Sequence, residues 1–191
     1  MKDLNDLFIE YLTNLYYEMP EYVYVCLLIA LCIGLMALLF VGGIKSRFKY
    51  VAVLLLIEYV LLVLCSTVVF RSGTEIQGHN FLPFWSYTMK EEWEKLLLEN
   101  ILNVLVFIPI GLLLGCGFRT MNWRGVMLIG VGLSVIIEVL QFVLGRGFSE
   151  LDDVIHNTLG CMIGYGVYKL FQVSWIRFHG KRSVERGLGV L

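Results

Sequence analysis

The sequence predicts an all-α membrane protein, a polytopic bundle of about five transmembrane helices with an N-terminal amphipathic helix at the interface. Three observations predict it. Of 191 residues, 58% are hydrophobic and only 16% charged, whereas soluble domains carry roughly a quarter charged residues. The apolar residues fall in long runs, and crossing a ~30 Å hydrocarbon core takes about 20 helical residues. The Lys and Arg residues, finally, are concentrated in alternate loops.

Residues 2–18 place Leu4, Leu7, Phe8, Tyr11, Leu12, Leu15 and Tyr16 at steps of three and four, with Asp3, Asp6, Glu10 and Asn14 off that stripe. Such a helix is too polar to span and lies along the interface or on the protein's own surface. Its acidic start is unlike a secretory n-region. Pro20 suits the first turn of a new helix. Tyr22–Ile44 is the first span, uncharged and ending at Gly42-Gly43, followed by a basic loop with Lys45, Arg47 and Lys49. Val51–Phe70 is the second span and holds Glu58.

The polar segment 71–99 carries an aromatic knot, Phe81-Leu82-Pro83-Phe84-Trp85, and then Thr88-x-x-Glu91, a capping box for the helix entering the third span. That span, Ile101–Phe118, is expected to bend at Pro109-x-Gly111. Gly125–Leu144 is the fourth span. Ser149-x-x-Asp152 caps the fifth, Asp153–Phe171, before a basic tail. The chain divides into an interfacial helix (1–20), two spans (21–70), a core of three spans (71–171) and the tail (172–191). Cys26, Cys32, Cys65, Cys116 and Cys161 all lie in apolar stretches without ligand-like spacing and read as packing residues.

The loops at 45–50 and 119–124, with everything after Tyr168, hold ten of the fifteen Lys and Arg residues. The positive-inside rule therefore predicts a plasma-membrane protein with its N-terminus outside and its C-terminus in the cytoplasm. Under that topology the polar side chains gather near the outer interface. Arg71 ends span two, and Asn80 precedes the aromatic knot. Asn100 and Asn103 share a face of span three, Glu138 and Gln141 occupy the last turns of span four, and Arg146 lies just beyond. Asp152, Asp153, His156 and Asn157 open span five.

Each residue also has a structural reading. Asparagines tie membrane helices together, Asp152 can cap a helix, and arginines at span ends can snorkel. Glu138 resists this best. It lies about 9 Å inside its span at 1.5 Å per residue, where an unpaired carboxylate costs a few kcal/mol. Arg71 or Arg146 is its expected partner. The adjacent aspartates of Asp152-Asp153-x-x-His156 point to different helix faces, so no metal site is expected. Gly160-x-x-x-Gly164 offers a small-residue face for close packing.

Asn80-Phe81-Leu82-Pro83-Phe84, Asn100-x-x-Asn103 leading to Phe107-x-Pro109-x-Gly111, Glu138-x-x-Gln141, Arg146, Asp152-Asp153 and Asn157-x-x-Gly160-x-x-x-Gly164 together resemble the VanZ-like family over about Arg71 to Tyr168. The resemblance implies a small bacterial membrane protein linked to resistance to teicoplanin, a lipoglycopeptide that acts at the outer surface. It also implies that Arg71, Asn100, Asn103, Glu138, Gln141, Arg146, Asp152, Asp153 and Asn157 form the site.

The expected function is a site open to the outer leaflet that binds or modifies a lipid or lipid-linked envelope molecule. Glu138 and Asp153 would act as acid or base. Arg71, Asn80, Asn100, Asn103, Gln141, Arg146, Asp152 and Asn157 would hold the substrate. The expected partners are the bilayer and such a molecule or a lipoglycopeptide, with a homo-oligomer open; neither nucleic acid nor a cofactor is expected. The alternative is a scaffold or shielding protein whose polar cluster is structural. A transporter has little support without inverted repeats.

Overall fold

The computed structural model describes residues 19–38, 44–71, 78–88 and 93–188, together with positions 6 and 9. Apart from Asp6 and Ile9, which are helical and exposed, the amphipathic stretch lies outside the described residues. So do Gly42-Gly43 and Glu91 of the expected capping box. The described residues form an all-α bundle of five long helices. These are α1 (Glu21–Leu38), α2 (Ile44–Leu64, continued by a π-helical turn Cys65–Val69), α3 (Trp93–Gly117), α4 (Trp123–Leu144) and α5 (Leu151–Leu188).

Four segments, Glu21–Leu38, Arg47–Val69, Glu94–Gly117 and Trp123–Leu144, are long and apolar enough to cross a membrane. The fifth expected span falls on α5, which is more polar. Its Asp152, His156 and Asn157 are buried by neighbouring helices, so its polarity faces protein rather than lipid. The helices also run further than expected at several ends. Lys45, Arg47 and Lys49 lie in the first turns of α2, not in a loop, because Lys and Arg are good helix formers and carry a helix out into the interface. α3 passes through Pro109 without a break.

α3 and α5 make the most extensive helix pair, and glycine explains how. A Cβ on Gly160 would collide with the Val104 carbonyl, one on Gly164 with the Ile108 carbonyl, and one on Gly111 with the Cys161 carbonyl. The two backbones touch directly, from both sides, as small-residue faces permit in membranes. Around this crossing lies the core, with Val63 and Val68 from the α2 segment, Phe107, Ile110 and Leu114 from α3, Val126 and Ile137 from α4, and Cys161 and Tyr165 from α5. Tyr165 closes its far end, donating to the Met121 carbonyl at 2.6 Å and standing edge-on to Trp123. α1 buries none of its side chains and packs on α2, where Gly34 meets Leu54. Val143, Leu128 and Val139 of α4 stand exposed, as lipid-facing residues do.

At one end of the bundle two three-residue strands, β1 (Gly78–Asn80) and β2 (Phe148–Glu150), pair in parallel with His79 opposite Ser149. This pair joins the segment after α2 to the segment between α4 and α5. A short 3₁₀ turn, Trp85–Thr88, follows.

Gly160→Val and Gly164→Val should each destabilise the folded protein by about 3 kcal/mol, the upper end of the usual overpacking cost, since the overpacked atom is backbone that cannot rotate away. Gly132→Val, at a position where a Cβ meets nothing within 4 Å, should not. Thermal unfolding in detergent checks the contrast.

Candidate functional site

The site is built on the end of α2. The last carbonyls of a helix lack N–H partners of their own, and here other segments supply them. Gln141 Nε2 donates to the Thr67 carbonyl at 2.9 Å. Arg146 donates to the Val69 carbonyl and, at 2.8 Å, to the Arg71 carbonyl. Arg146 reaches them because of how α4 stops. Gly145 takes a left-handed φ of 66°, and the Arg146 N–H bonds back to the Gln141 carbonyl at 2.8 Å. This is a glycine-terminated reversal. A side chain with a Cβ would be strained at position 145.

Asp152 fixes the segment with the aromatic knot. Its carboxylate is fully buried and accepts from the Phe84 N–H, the Ser86 N–H at 3.1 Å and the Ser86 hydroxyl at 2.7 Å. Asn100 Nδ2 donates to the same hydroxyl oxygen at 3.0 Å. Phe84 is held at a φ of 62°, unusual for a bulky residue. Asn80 Oδ1 accepts from the Leu82 N–H at 3.0 Å, shaping the preceding turn. The Trp85 indole donates to Glu150 Oε2 at 3.0 Å. Tyr87 and His156 Nε2 are 2.8 Å apart, and His156 Nδ1 lies 2.6 Å from the Asp152 carbonyl. A carbonyl only accepts, so Nδ1 carries the proton and, in the neutral ring, Nε2 accepts from the Tyr87 hydroxyl. The aromatic faces of the knot stay outward, with Phe81, Leu82, Phe84 and Tyr87 all more than half exposed.

Between these supports lies a polar-lined chamber of about 100 Å³. Arg71, Asn103, Glu138, Gln141, Asp153 and Asn157 line it, with Ser66 and Thr67 of the π-helical turn, over an apolar floor that includes Val63, Phe107 and Ile137. Asn103 Nδ2 donates to Asp153 Oδ1 at 2.7 Å, Asn157 Nδ2 bonds Ser134 Oγ at 2.8 Å, and Glu138 Oε2 accepts the Glu150 N–H at 3.0 Å. Two buried oxygens on the wall, Gln141 Oε1 and Asn157 Oδ1, have no hydrogen-bond partner. Glu138 also lines an apolar groove of about 440 Å³. His79, Phe81, Val135, Val139, Phe142, Leu151 and Val154 line it, with Ser149 and Glu150.

Of the ten residues the sequence nominates, six thus line the chamber: Arg71, Asn103, Glu138, Gln141, Asp153 and Asn157. The structure gives Asn80, Asn100, Arg146 and Asp152 to the segments around it. The expected arginine fork on Glu138 does not form. Arg146 points to carbonyls, Glu138 takes a backbone N–H, and Arg71 closes no ion pair among the described residues, lying instead against Gly147. Sequence reasoning passed over Ser66, Thr67, Ser86 and Ser134, and took Ser149 only as a helix cap. Small hydroxylated residues at the ends of apolar runs were the available signal, and Ser134 stands one helical turn before Glu138. Glu58 lies apart, in a hollow of about 280 Å³ between α1 and α2, with Oε2 unpartnered. Among the described residues no three His, Cys, Asp or Glu side chains are grouped to hold a metal ion.

Asp152→Asn puts an amide NH₂ among donors, where each unpaired buried donor costs about 1–3 kcal/mol. The variant should release the aromatic segment, seen as faster chymotrypsin cleavage between residues 81 and 88. Burial raises the Glu150 carboxyl above the usual glutamate value. The Trp85 bond opposes this, Glu99 and Asp152 add to it, and Arg71 opposes it. A raised folded-state pKa means the folded protein binds the proton more tightly. Stability from this group is therefore present at low pH and lost as pH rises from the unfolded glutamate value through the folded one. Trp85 emission, in a variant keeping Trp85 as the sole tryptophan, should titrate with a midpoint above the usual glutamate value, and Glu150→Gln should abolish that transition.

Comparison with known proteins identifies the family. Residues 22–172 match the model of the VanZ/LLP1 family, which takes in the first two helices as well as the polar end. Over 72 residues the chain is 38% identical to a protein of Enterococcus faecium named Protein VanZ, a stretch covering 38% of this chain and 45% of that one. The chain thus matches less than half the length of that relative. No solved structure matches. The family match spans most of the chain and all of the chamber, and the protein belongs to the VanZ/LLP1 family.

Proposed function

We propose that the protein binds, at the outer leaflet, an amphiphilic molecule of the cell envelope, a lipid or lipid-linked precursor. The chain of the amphiphile occupies the groove and its head enters the chamber. Glu138 carries the reading, because it alone among the described residues lines both the apolar groove and the polar chamber. A carboxylate between an apolar slot and a polar-lined space suits a ligand with one apolar and one polar end. The outer-leaflet assignment rests on the Lys and Arg distribution, which puts this end of the bundle outside. If the bound molecule is also modified, Glu138 and Asp153 are the groups placed to move a proton at its head, with Arg71 beside them. The link to teicoplanin resistance follows from the family resemblance: occupying or altering an envelope molecule at the outer surface lowers the effect of an antibiotic acting there.

A scaffold reading is favoured by one observation, that Asn80, Asn100, Arg146 and Asp152 make hydrogen bonds that shape or hold the surrounding segments. Two variants separate the readings. Val139 is 53% exposed and lines the groove, so Val139→Trp fills the slot without entering the core. Val139→Trp and Glu138→Gln, each shown to insert and unfold like the parent protein, should return teicoplanin susceptibility and the envelope lipid profile to those of cells lacking the protein. Full retention of both phenotypes by both variants would sink the amphiphile site and leave the scaffold.

A further inference from the structure

The segment 81–87 turns its polar contacts inward and its apolar side chains outward. Phe81, Leu82, Phe84 and Tyr87 are exposed, Leu82 most of all at 69%. On the inner side Ser86 meets Asp152, the Trp85 indole meets Glu150, and the Tyr87 hydroxyl meets His156.

The main chain of this segment is also given partners that water would otherwise provide. The Leu82 N–H donates to Asn80 Oδ1, the Phe84 and Ser86 N–H groups to Asp152, and the Tyr87 N–H to the Phe84 carbonyl at 3.3 Å. Pro83 has no N–H to satisfy. The Trp85 carbonyl accepts the Thr88 hydroxyl at 2.6 Å. A loop in water does not need this, because solvent pairs its amides. Non-helical backbone at membrane depth does need it, because lipid pairs nothing.

The depth of the segment agrees. Asn100, which bonds the Ser86 hydroxyl at 3.0 Å, stands six residues inside the apolar stretch Glu94–Gly117, about 9 Å at 1.5 Å per residue. The His79 ring stands edge-on to that of Phe142 at 6.0 Å, and Phe142, Val143 and Leu144 are the exposed last residues of α4. Phe81 lines the groove with Val135 and Val139, further inside α4. The segment therefore lies beside the first turns of α3 and the last turns of α4 rather than above them.

We propose that residues 81–87 are a re-entrant element seated in the membrane leaflet at this end of the bundle, with Phe81, Leu82, Phe84 and the Tyr87 ring among lipid chains and the polar side against the protein. The occupant of the apolar face is lipid, not a protein docked from the water. An apolar face at the boundary of headgroups and acyl chains is how non-spanning segments hold to a bilayer, and aromatic rings favour that level. The face also continues the exposed apolar surface of α4. Because Phe81 belongs both to this face and to the groove, an amphiphile would reach the groove sideways from the leaflet. That route rests on the amphiphile reading; the insertion itself does not.

Phe81→Trp and Leu82→Trp report the surroundings of the two positions, each as the sole tryptophan after Trp85, Trp93, Trp123 and Trp175 are replaced by Phe. The full-length variants are reconstituted in phosphatidylcholine vesicles. Bromine on the acyl chains quenches from lipid, and iodide on both sides of the membrane quenches from water. Val143→Trp in the same background, 70% exposed on α4, sets the signal of lipid contact. Brominated lipid should remove the same fraction of emission at positions 81 and 82 as at 143, and iodide should leave it unchanged. Iodide quenching that equals or exceeds quenching by brominated lipid overturns the insertion and gives the face to a partner from the water. If the variants do not stay folded, the parent protein decides, in vesicles with a phosphatidylcholine that carries an acyl-chain diazirine. Photoadducts within residues 81–87 are then expected alongside those on α4, and adducts on α4 alone overturn the proposal. Val139→Trp tests the amphiphile site separately, so either reading can fail without the other.

Discussion

The direct backbone contact between α3 and α5 sets the position of everything else. Where Gly160 and Gly164 meet the Val104 and Ile108 carbonyls, and Gly111 meets the Cys161 carbonyl, there is no side chain to act as a cushion. The crossing therefore has one depth and one register. Asn103 sits one residue before Val104, and Asp153 and Asn157 sit two turns and one turn, respectively, before Gly160–Cys161. Fixing the crossing thus fixes which polar residues of the two helices face each other. In lipid, where apolar burial does not drive helices together, such close packing is a main source of association.

The polar end then follows from a second constraint, that main-chain groups away from water must be satisfied. The terminal carbonyls of the α2 segment are met by Gln141 and Arg146, and the N–H groups of Phe84 and Ser86 by Asp152. Several of the most polar side chains thus answer to backbone rather than to one another. Once these are accounted for, the chamber residues stand out as a smaller and more coherent set, with Arg71, Glu138 and Asp153 as its ionisable groups.

How much of this was legible in the sequence depended on whether the signal was local. The four apolar spans were, because a run of about twenty hydrophobic residues has few other interpretations. The polar set was visible for the same reason, since Glu138 or Asn103 is conspicuous against Leu, Ile and Val. The division of that set into wall and support was not visible. It depends on where α4 ends and where the chain returns after Arg71. The pairing of β1 with β2 was hidden too, because three residues carry no usable alternation and the partners lie 70 positions apart. The arginine fork expected on Glu138 followed from charge alone. The geometry prefers carbonyls because Gly145 turns Arg146 towards the end of α2. The glycines of α5 were recognised as a packing face, but their partner helix was not in the sequence pattern.

The grip of Asp152 on residues 84–86 has a consequence for how related proteins can differ. It holds two main-chain N–H groups, which every residue except proline possesses, and a hydroxyl at position 86. The exposed rings at 81, 84 and 87 are not among the groups that Asp152 contacts. Selection can therefore redraw the outward surface of this segment, changing which molecules it meets at the membrane, while the mount beneath it stays the same. In a comparison of relatives, the aspartate and the small hydroxyl residue would vary little and the aromatic tips would vary with the chemistry of the envelope.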